Sequence, residues 1–151
     1  MAQIRLLIVD HHAMFREALR AILERQEDMV VVGEARDAST AVRLASEWQP
    51  DVILMEAELP GRGGIETTRK ILTERPAARV IALTMHDDDE LIAAAIRAGV
   101  QGYLLKESRA ADLVQAVSTV AAGGAAIDPT VAGRVWRQYR ALVDHQAAAA
   151  D

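Results

Sequence analysis

Residues 51–61 read Asp-Val-Ile-Leu-Met-Glu-Ala-Glu-Leu-Pro-Gly, an aliphatic run that ends in an acid and is followed by a chain-breaking loop. Four apolar residues between Pro50 and Pro60–Gly61 are too few for a helix. They are typical of a strand buried on both faces, as found in parallel sheets. Glu56 then stands at the carboxyl end of that strand. Because ligands of open α/β sheets bind at this edge, Glu56 is the first candidate site residue.

The chain around this strand alternates between short aliphatic runs and apolar residues at helical spacing. Four further strands are predicted, at 4–9, 29–32, 80–83 and 103–105. Such alternation predicts an α/β fold, a doubly wound five-stranded parallel sheet with helices on both faces and right-handed crossovers. The common strand order for such a sheet is 2-1-3-4-5.

A further helix is predicted beyond Gly123–Gly124, starting at Asp128–Pro129 in the preferred order of cap followed by proline. Trp136 on this helix is expected to pack rather than to act in a site, and the end of the chain from Gln146 is expected to be a frayed tail. Three arginines either form a solvated basic face, the commoner meaning of such spacing, or contact phosphates: Arg134, Arg137 and Arg140.

Length and composition limit the possible functions. The 151 residues suffice for one domain with a short appendage. The chain has no cysteine, which excludes disulfides and thiolate metal sites, and its formal net charge of -5 gives no overall basic footprint for nucleic acid. Neither a signal peptide nor an apolar run of membrane-spanning length is present in the sequence. A cytoplasmic location without membrane association is therefore expected.

Several polar residues follow the predicted strands. In the order 2-1-3-4-5, Asp10, His11 and Glu56 come together at the sheet edge, flanked by Thr84 and Lys106. Strands must end in polar residues anyway, so periodicity alone leaves open whether this set is a site. The acidic run at 87–90 is either a cation site or a set of carboxylates at a helix amino terminus, and the helix dipole favours the second interpretation.

Four phrases of the sequence carry a family resemblance. They are Leu-Ile-Val-Asp at 7–10, Leu-Pro-Gly at 59–61, Leu-Thr-Met-His-Asp-Asp at 83–88 and Gly-Tyr-Leu-Leu-Lys at 102–106. From about Ile4 to Val120 the chain resembles the receiver domain of bacterial two-component response regulators, of the NarL/LuxR type. The resemblance implies a flavodoxin-like receiver fold with a regulatory rather than enzymatic role. It also implies a receiver domain at 1–122 and a linker helix with a tail at 123–151.

The resemblance also implies roles for individual residues. Asp10 matches the first of two acids that help to hold Mg²⁺, whereas Thr84 and Lys106 match the residues that contact the phosphoryl group. Tyr103 matches the residue that changes rotamer and reports phosphorylation to the face formed by helix four, strand five and helix five. Two positions depart from the family. His11 replaces the second acid, and Glu56 replaces the phosphoacceptor aspartate.

These two departures change the expected chemistry. Mg²⁺ prefers oxygen ligands, so His11 should weaken its binding or abolish it, and no other cofactor is expected. The extra methylene of Glu56 displaces its carboxylate, and a misplacement of about 1 Å can cost roughly a hundredfold in rate. Because phosphoryl transfer depends on positioning and charge neutralisation, we expect phosphorylation to be very poor or absent.

Several interpretations of the altered pocket remain open. Glu56 could extend toward Thr84 and Lys106 as a partial mimic of a phosphoryl group, or the pocket could be a relic in a dimerisation unit. A receiver still phosphorylated at low efficiency is another. A metal- or ligand-responsive sensor is the remaining one, and its candidate ligands for zinc, copper or nickel are Asp10, His11, Glu56 and His86. A nucleotide-binding variant is disfavoured, because the turn after the first strand lacks a glycine-rich phosphate cradle.

The expected partners follow from the same resemblance. A symmetric homodimer is expected, whereas the involvement of a sensor histidine kinase is open. In this subfamily a DNA-binding helix-turn-helix domain normally follows the linker, and these 151 residues contain no such output domain. The chain is therefore expected to be either a truncated regulator or a stand-alone receiver. The sequence identifies neither the input signal nor the target promoters.

Overall fold

The structure is a computed structural model that describes the backbone of residues 3–150 and the side chains of residues 3–147. Strands and helices alternate along the chain. The strands are β1 Ile4–Val9, β2 Met29–Ala35, β3 Val52–Glu56, β4 Arg79–Thr84, β5 Gly102–Leu105 and β6 Ala126–Ile127. The helices are α1 Ala13–Glu24, α2 Ala38–Trp48, α3 Gly64–Glu74, α4 Asp89–Ala98, α5 Ala110–Ala121 and α6 Ala132–Ala150.

The strands form one parallel sheet in the order β2-β1-β3-β4-β5-β6. The doubly wound fold and the order of the first five strands are confirmed, but a sixth short strand was not predicted. β6 has only two residues, with Ala126 opposite Gly102 and Ile127 opposite Tyr103. Two residues cannot show the alternation by which a strand is recognised in a sequence.

Helices cover both faces of this sheet. One face of the sheet packs against α1 and α5, and the other face packs against α2 and α3. A third apolar cluster joins β5, α4 and the start of α6. Every residue of β3 is buried. The aliphatic run at its centre is therefore a strand buried on both faces, as predicted.

Helix α6 differs from the prediction at both ends. It begins at Ala132 instead of Asp128, because the Asp128 carboxylate accepts hydrogen bonds from the backbone and hydroxyl of Thr130 in a turn before the helix. It continues to Ala150, so the predicted frayed tail is wrong up to that residue. A run of alanines has high helix propensity, which explains the extension. Asp151, like Met1 and Ala2, lies outside the described residues.

The faces of α6 also differ from the prediction. Val131 and Val135 are buried against the third cluster, but the Trp136 side chain is 59% exposed, so its predicted packing role is wrong. Trp136 stacks on Tyr139 at the surface of the helix. Arg134 is not part of a solvated basic face, because it binds Asp87 at 3.0 Å and Asp89 at 3.1 Å.

The acidic run at 87–90 acts largely as a helix start. Asp88 accepts a hydrogen bond from the Leu91 N–H and thereby caps α4. The hydroxyl of Ser108, two residues before α5, donates to Asp128 at 2.7 Å. The N-terminus of α5 has no side-chain cap.

Gly64 allows α3 to begin against the end of β3. A Cβ at this position would overlap the carbonyl oxygen of Glu56. The Gly64 N–H donates to the carbonyl of Ala57 at 3.2 Å. The glycine therefore allows the loop that follows Glu56 to pack closely against the end of β3.

Candidate functional site

Asp10 and Glu56 lie side by side at the carboxyl edge of the sheet. β1 and β3 are hydrogen-bonded neighbours with Val9 opposite Met55, so the next residue of each strand reaches the same point. Both acids are almost completely buried, with 1% and 2% of their surfaces exposed. A buried carboxylate requires a cation or hydrogen bonds, and the pocket supplies both.

His11 binds Glu56 directly. Its Nδ1 lies 2.7 Å from Glu56 Oε2, and its backbone N–H donates to the same oxygen at 2.9 Å. Burial alone would raise the pKa of Glu56, but the His11 hydrogen bonds and the ammonium of Lys106 outweigh it and hold that pKa below its ordinary value. Glu56 is therefore ionised near neutral pH, and Nδ1 of His11 carries the hydrogen of this bond.

Lys106, the residue after β5, pairs with both buried acids and compensates one of their two negative charges. Its Nζ lies 2.6 Å from Asp10 Oδ2 and 3.2 Å from Glu56 Oε1. The ammonium also sits 4.6 Å from the ring centroid of Phe15, which packs against it from α1. The side chain is only 5% exposed, so the three charges form a buried ion-pair network.

His12 extends the group toward solvent. Its Nδ1 lies 3.3 Å from Asp10 Oδ1, and its backbone N–H donates to that oxygen at 2.8 Å. The rings of His11 and His12 lie 3.7 Å apart, centroid to centroid. Donor atoms of Asp10, His11, His12 and Glu56 all lie within 4.8 Å of one another. His86, a candidate ligand in the sequence, does not belong to this group.

Thr84 does not contact Glu56, although the mimic interpretation placed Glu56 toward it. Its hydroxyl donates to the carboxylate of Glu58, and the Met85 N–H donates to the same Glu58 oxygen at 3.2 Å. The register explains this arrangement, since Glu56 pairs with Leu83 across β3 and β4. A residue two positions after Glu56 then stands beside Thr84 and Met85.

Tyr103 lies inside the fold, with 3% of its surface exposed. Its hydroxyl donates to the carbonyl of His86 at 3.2 Å, and the His86 N–H donates to the Thr84 hydroxyl oxygen at 2.9 Å. Burial first, and then the negative charges of Asp88 and Glu58, raise the pKa of Tyr103 far above its ordinary value. The tyrosine therefore remains a hydrogen-bond donor. It also packs in the cluster that includes Val131, just before α6, and Val135 of α6.

Sequence reasoning overlooked three residues of this region. Glu58 carried a signal, because an acid two residues beyond a strand end can reach the neighbouring strand end in a parallel sheet. His12 is not among the predicted site residues, although the tight turn after β1 brings it to Asp10. Asp128 is predicted only as a helix start, and its contact with Ser108, 20 residues away in sequence, is tertiary.

Comparisons with known proteins agree with this architecture. Residues 6–118 match the family model described as the response regulator receiver domain. The chain is 39% identical over 142 residues to the transcriptional regulatory protein DegU of Brevibacillus brevis, covering 94% of this chain and 60% of that protein. It is 43% identical over 137 residues to LiaR of Bacillus subtilis, covering 91% and 65% respectively.

A solved structure of similar sequence has the same fold. It is the LuxR-family two-component response regulator from an Aurantimonas species, 40% identical, with a TM-score of 0.86 over 91% of this chain and 99% of that one. The chain spans about three fifths of the length of the curated relatives named above. Among the described residues, no helix combines the length and apolarity that crossing a membrane requires. The chain thus belongs to the family of response regulator receiver domains, of the NarL/LuxR/DegU type.

Proposed function

We propose that this receiver regulates transcription without conventional phosphorylation, through a switch that its own carboxylates hold in place. The family resemblance implies that Thr84 and Lys106 contact the phosphoryl group of an activated receiver. In this chain both residues already bind carboxylates. Lys106 binds Glu56 at 3.2 Å, and Thr84 binds Glu58.

The Thr84 to Glu58 contact is the observation that carries the proposal. A carboxylate offers fewer charges and acceptor oxygens than a phosphoryl group, so one glutamate alone is a poor substitute. Two glutamates together make these contacts. Glu56 binds the ammonium of Lys106, and Glu58 accepts hydrogen bonds from the Thr84 hydroxyl and the Met85 N–H. The buried position of Tyr103 supports a switch held in one state, because its hydroxyl bond to His86 continues from Thr84.

The donor set of the pocket argues against Mg²⁺. An imidazole stands where a second carboxylate would serve that ion, and Lys106 already neutralises Asp10 at 2.6 Å. Mg²⁺ demands near-octahedral oxygen coordination and dehydrates reluctantly. We therefore infer that Mg²⁺ binding is weak or lost and that no step of phosphoryl transfer proceeds efficiently at Glu56.

The partners follow from the same proposal. The receiver controls homodimerisation or an attached DNA-binding output domain, and DNA is contacted only through such a domain. A sensor kinase is not required when the switch needs no phosphoryl group. Helix α6 is the proposed linker, because Tyr103 and the ion pairs of Arg134 connect it to the pocket.

Phosphorylation in solution tests the proposal. The chain is incubated with acetyl phosphate and Mg²⁺, and its intact mass is measured before and after hydroxylamine treatment. We expect no acyl phosphate adduct on the native chain. The double variant with His11→Asp and Glu56→Asp restores both family acids and is expected to gain one labile phosphoryl group.

The two outcomes separate the proposal from its alternative. A stoichiometric, hydroxylamine-labile adduct on the native chain would show a working phosphoacceptor and contradict the proposal. A small labile fraction on the native chain, lost with Glu56→Gln, would favour a receiver phosphorylated at low efficiency. The double variant demonstrates in the same assay that the remaining pocket residues are competent.

A further inference from the structure

We propose that Asp10, His11, His12 and Glu56 form a binding site for Zn²⁺, in the pocket where receivers of this family are expected to hold Mg²⁺. The proposal concerns metal choice and does not depend on the state of the switch. Its basis is the chemistry of the four donors and the way in which Lys106 divides the carboxylate oxygens.

The donor set suits a borderline transition metal. It offers two imidazole nitrogens and two carboxylate oxygens, and these donors lie within 4.8 Å of one another. Zn²⁺ accepts such mixed ligands in four-coordinate geometry, whereas Mg²⁺ prefers an all-oxygen octahedron. Replacing an acid with His11 therefore does more than weaken the Mg²⁺ site, because it changes which ion the pocket prefers.

Lys106 does not occupy the whole site. Its ammonium binds Asp10 Oδ2 and Glu56 Oε1. The other two oxygens face the histidines, with Asp10 Oδ1 at 3.3 Å from His12 and Glu56 Oε2 at 2.7 Å from His11. Each carboxylate thus has one oxygen for the lysine and one for an ion, so a cation can bind beside His11 and His12 while the lysine pairs persist.

The two histidines leave the proposed site open to solvent, and their rings have room to move toward an ion. Their side chains are 34% and 58% exposed, so an ion can approach from solvent and the rings can rotate. Donors around a tetrahedral zinc lie about 3.4 Å apart, given ligand bonds near 2.1 Å. Donors as far apart as 4.8 Å must therefore approach by up to about 1.4 Å, and the 2.7 Å pair of His11 Nδ1 and Glu56 Oε2 must separate by about 0.7 Å. When the ion binds His11 Nδ1, the hydrogen that this atom shares with Glu56 is replaced by one on Nε2, so the ring remains a neutral imidazole with its Nδ1 lone pair on the ion.

Isothermal titration tests the proposal with the full chain. We expect ZnCl₂ to bind with one ion per chain and MgCl₂ to show no saturable binding under the same conditions. Substituting His11→Ala and His12→Ala together is expected to weaken Zn²⁺ binding by at least about tenfold, because two of four ligands are lost. His145→Ala is the matched control, since this exposed histidine lies on α6 and outside the donor group.

A spectroscopic measurement identifies the ligand atoms on the native chain first, and the variants then serve as comparisons. Electron paramagnetic resonance with one equivalent of Cu²⁺ should show coupling to two nitrogen ligands, lost in the His11 and His12 double variant but retained with His145→Ala. Three results would each overturn the site. They are a spectrum without nitrogen coupling, Zn²⁺ affinity unchanged in the double variant, and Mg²⁺ binding as tight as that of Zn²⁺.

Discussion

Two regions of the pocket each contain a glutamate, but they differ in how far the hydrogen bonds of that glutamate continue into the fold. In the acceptor region, Glu56 is buried and its bonds end within the pocket, at His11 and Lys106. In the readout region, Glu58 binds Thr84, and hydrogen bonds continue from there through His86 to Tyr103. A closed charge network contributes mainly to folding, whereas an open chain of bonds can transmit a change. The two glutamates, only two residues apart, are therefore expected to respond differently to substitution.

The largest effect is expected in the acceptor region, for Lys106→Met. This change leaves Asp10 and Glu56 without the cation that pairs with both, and breaking a buried ion pair in this way typically costs about 3–5 kcal/mol. The free energy of unfolding from urea denaturation measures the loss. Lys70→Met is the control, because Lys70 is exposed and lies 4.0 Å from Glu74. Equal losses for the two variants would show that the pocket network is no more stabilising than a surface pair.

A smaller loss of stability but a wider structural effect is expected for Glu58→Ala. The Thr84 hydroxyl and Met85 N–H lose a charged acceptor, which costs roughly 1–3 kcal/mol. The change should also reach Tyr103 and α6, because Thr84 accepts from His86, whose carbonyl holds the tyrosine. Ring resonances of Tyr103 and hydrogen exchange in α6 measure this transmission.

The control for that experiment is Glu66→Ala, an exposed acid in the first turn of α3. It should leave Tyr103 and α6 unchanged. If Glu58→Ala lowers stability without altering either signal, Glu58 has only a local role. The hydrogen bonds of the readout region would then transmit no change to Tyr103 or α6.

Substituting Asp128→Asn, at the junction between β6 and α6, should lower the free energy of unfolding by about 1 kcal/mol near neutral pH. Burial would raise the pKa of Asp128, but hydrogen bonds from Thr130 and Ser108 lower it below the ordinary value of 3.8. A lowered pKa means that the ionised carboxylate stabilises the fold above pH 3.8 and that this contribution disappears as the pH falls through the folded-state pKa. Urea denaturation at several pH values should show the native chain and the variant converging in acid. A difference independent of pH would exclude ionisation as its source.

The smallest effect is expected for Arg134→Gln, which removes two partly exposed ion pairs between α6 and the start of α4. Solvent screens such pairs, so the change should slightly increase hydrogen exchange at the start of α6 at low salt. The difference from the native chain should vanish at about 1 M salt, where the screening length is roughly 3 Å. Arg137→Gln is the control on the same helix. An effect of Arg134→Gln that persists at high salt would indicate a packing role.

Much of the architecture was predictable because local patterns encode it directly. The aliphatic runs and the helical spacing between them predicted five parallel strands, and the common strand order of such sheets placed Asp10 beside Glu56. The limits of α6 were less predictable, because Asp128 engages Ser108 across the fold instead of capping a helix. Strand β6 was also missed, since two residues show no period. Both errors concern the segment that depends most on contacts with the rest of the domain.

The sequence by itself determined which groups meet at the sheet edge, because strand ends in a parallel sheet converge wherever hydrophobic runs stop. Through the family resemblance, the sequence also predicted that His11 and Glu56 stand where receivers of this type have a second acid and the phosphoacceptor aspartate. Only the tertiary structure decided which acceptor each donor uses. The register of β3 against β4 places Glu58, and not Glu56, beside Thr84, whereas the Glu56 carboxylate binds His11 and Lys106. Hydrogen-bond partners depend on ångström-scale distances between distant parts of the chain, and periodicity carries no information about such distances.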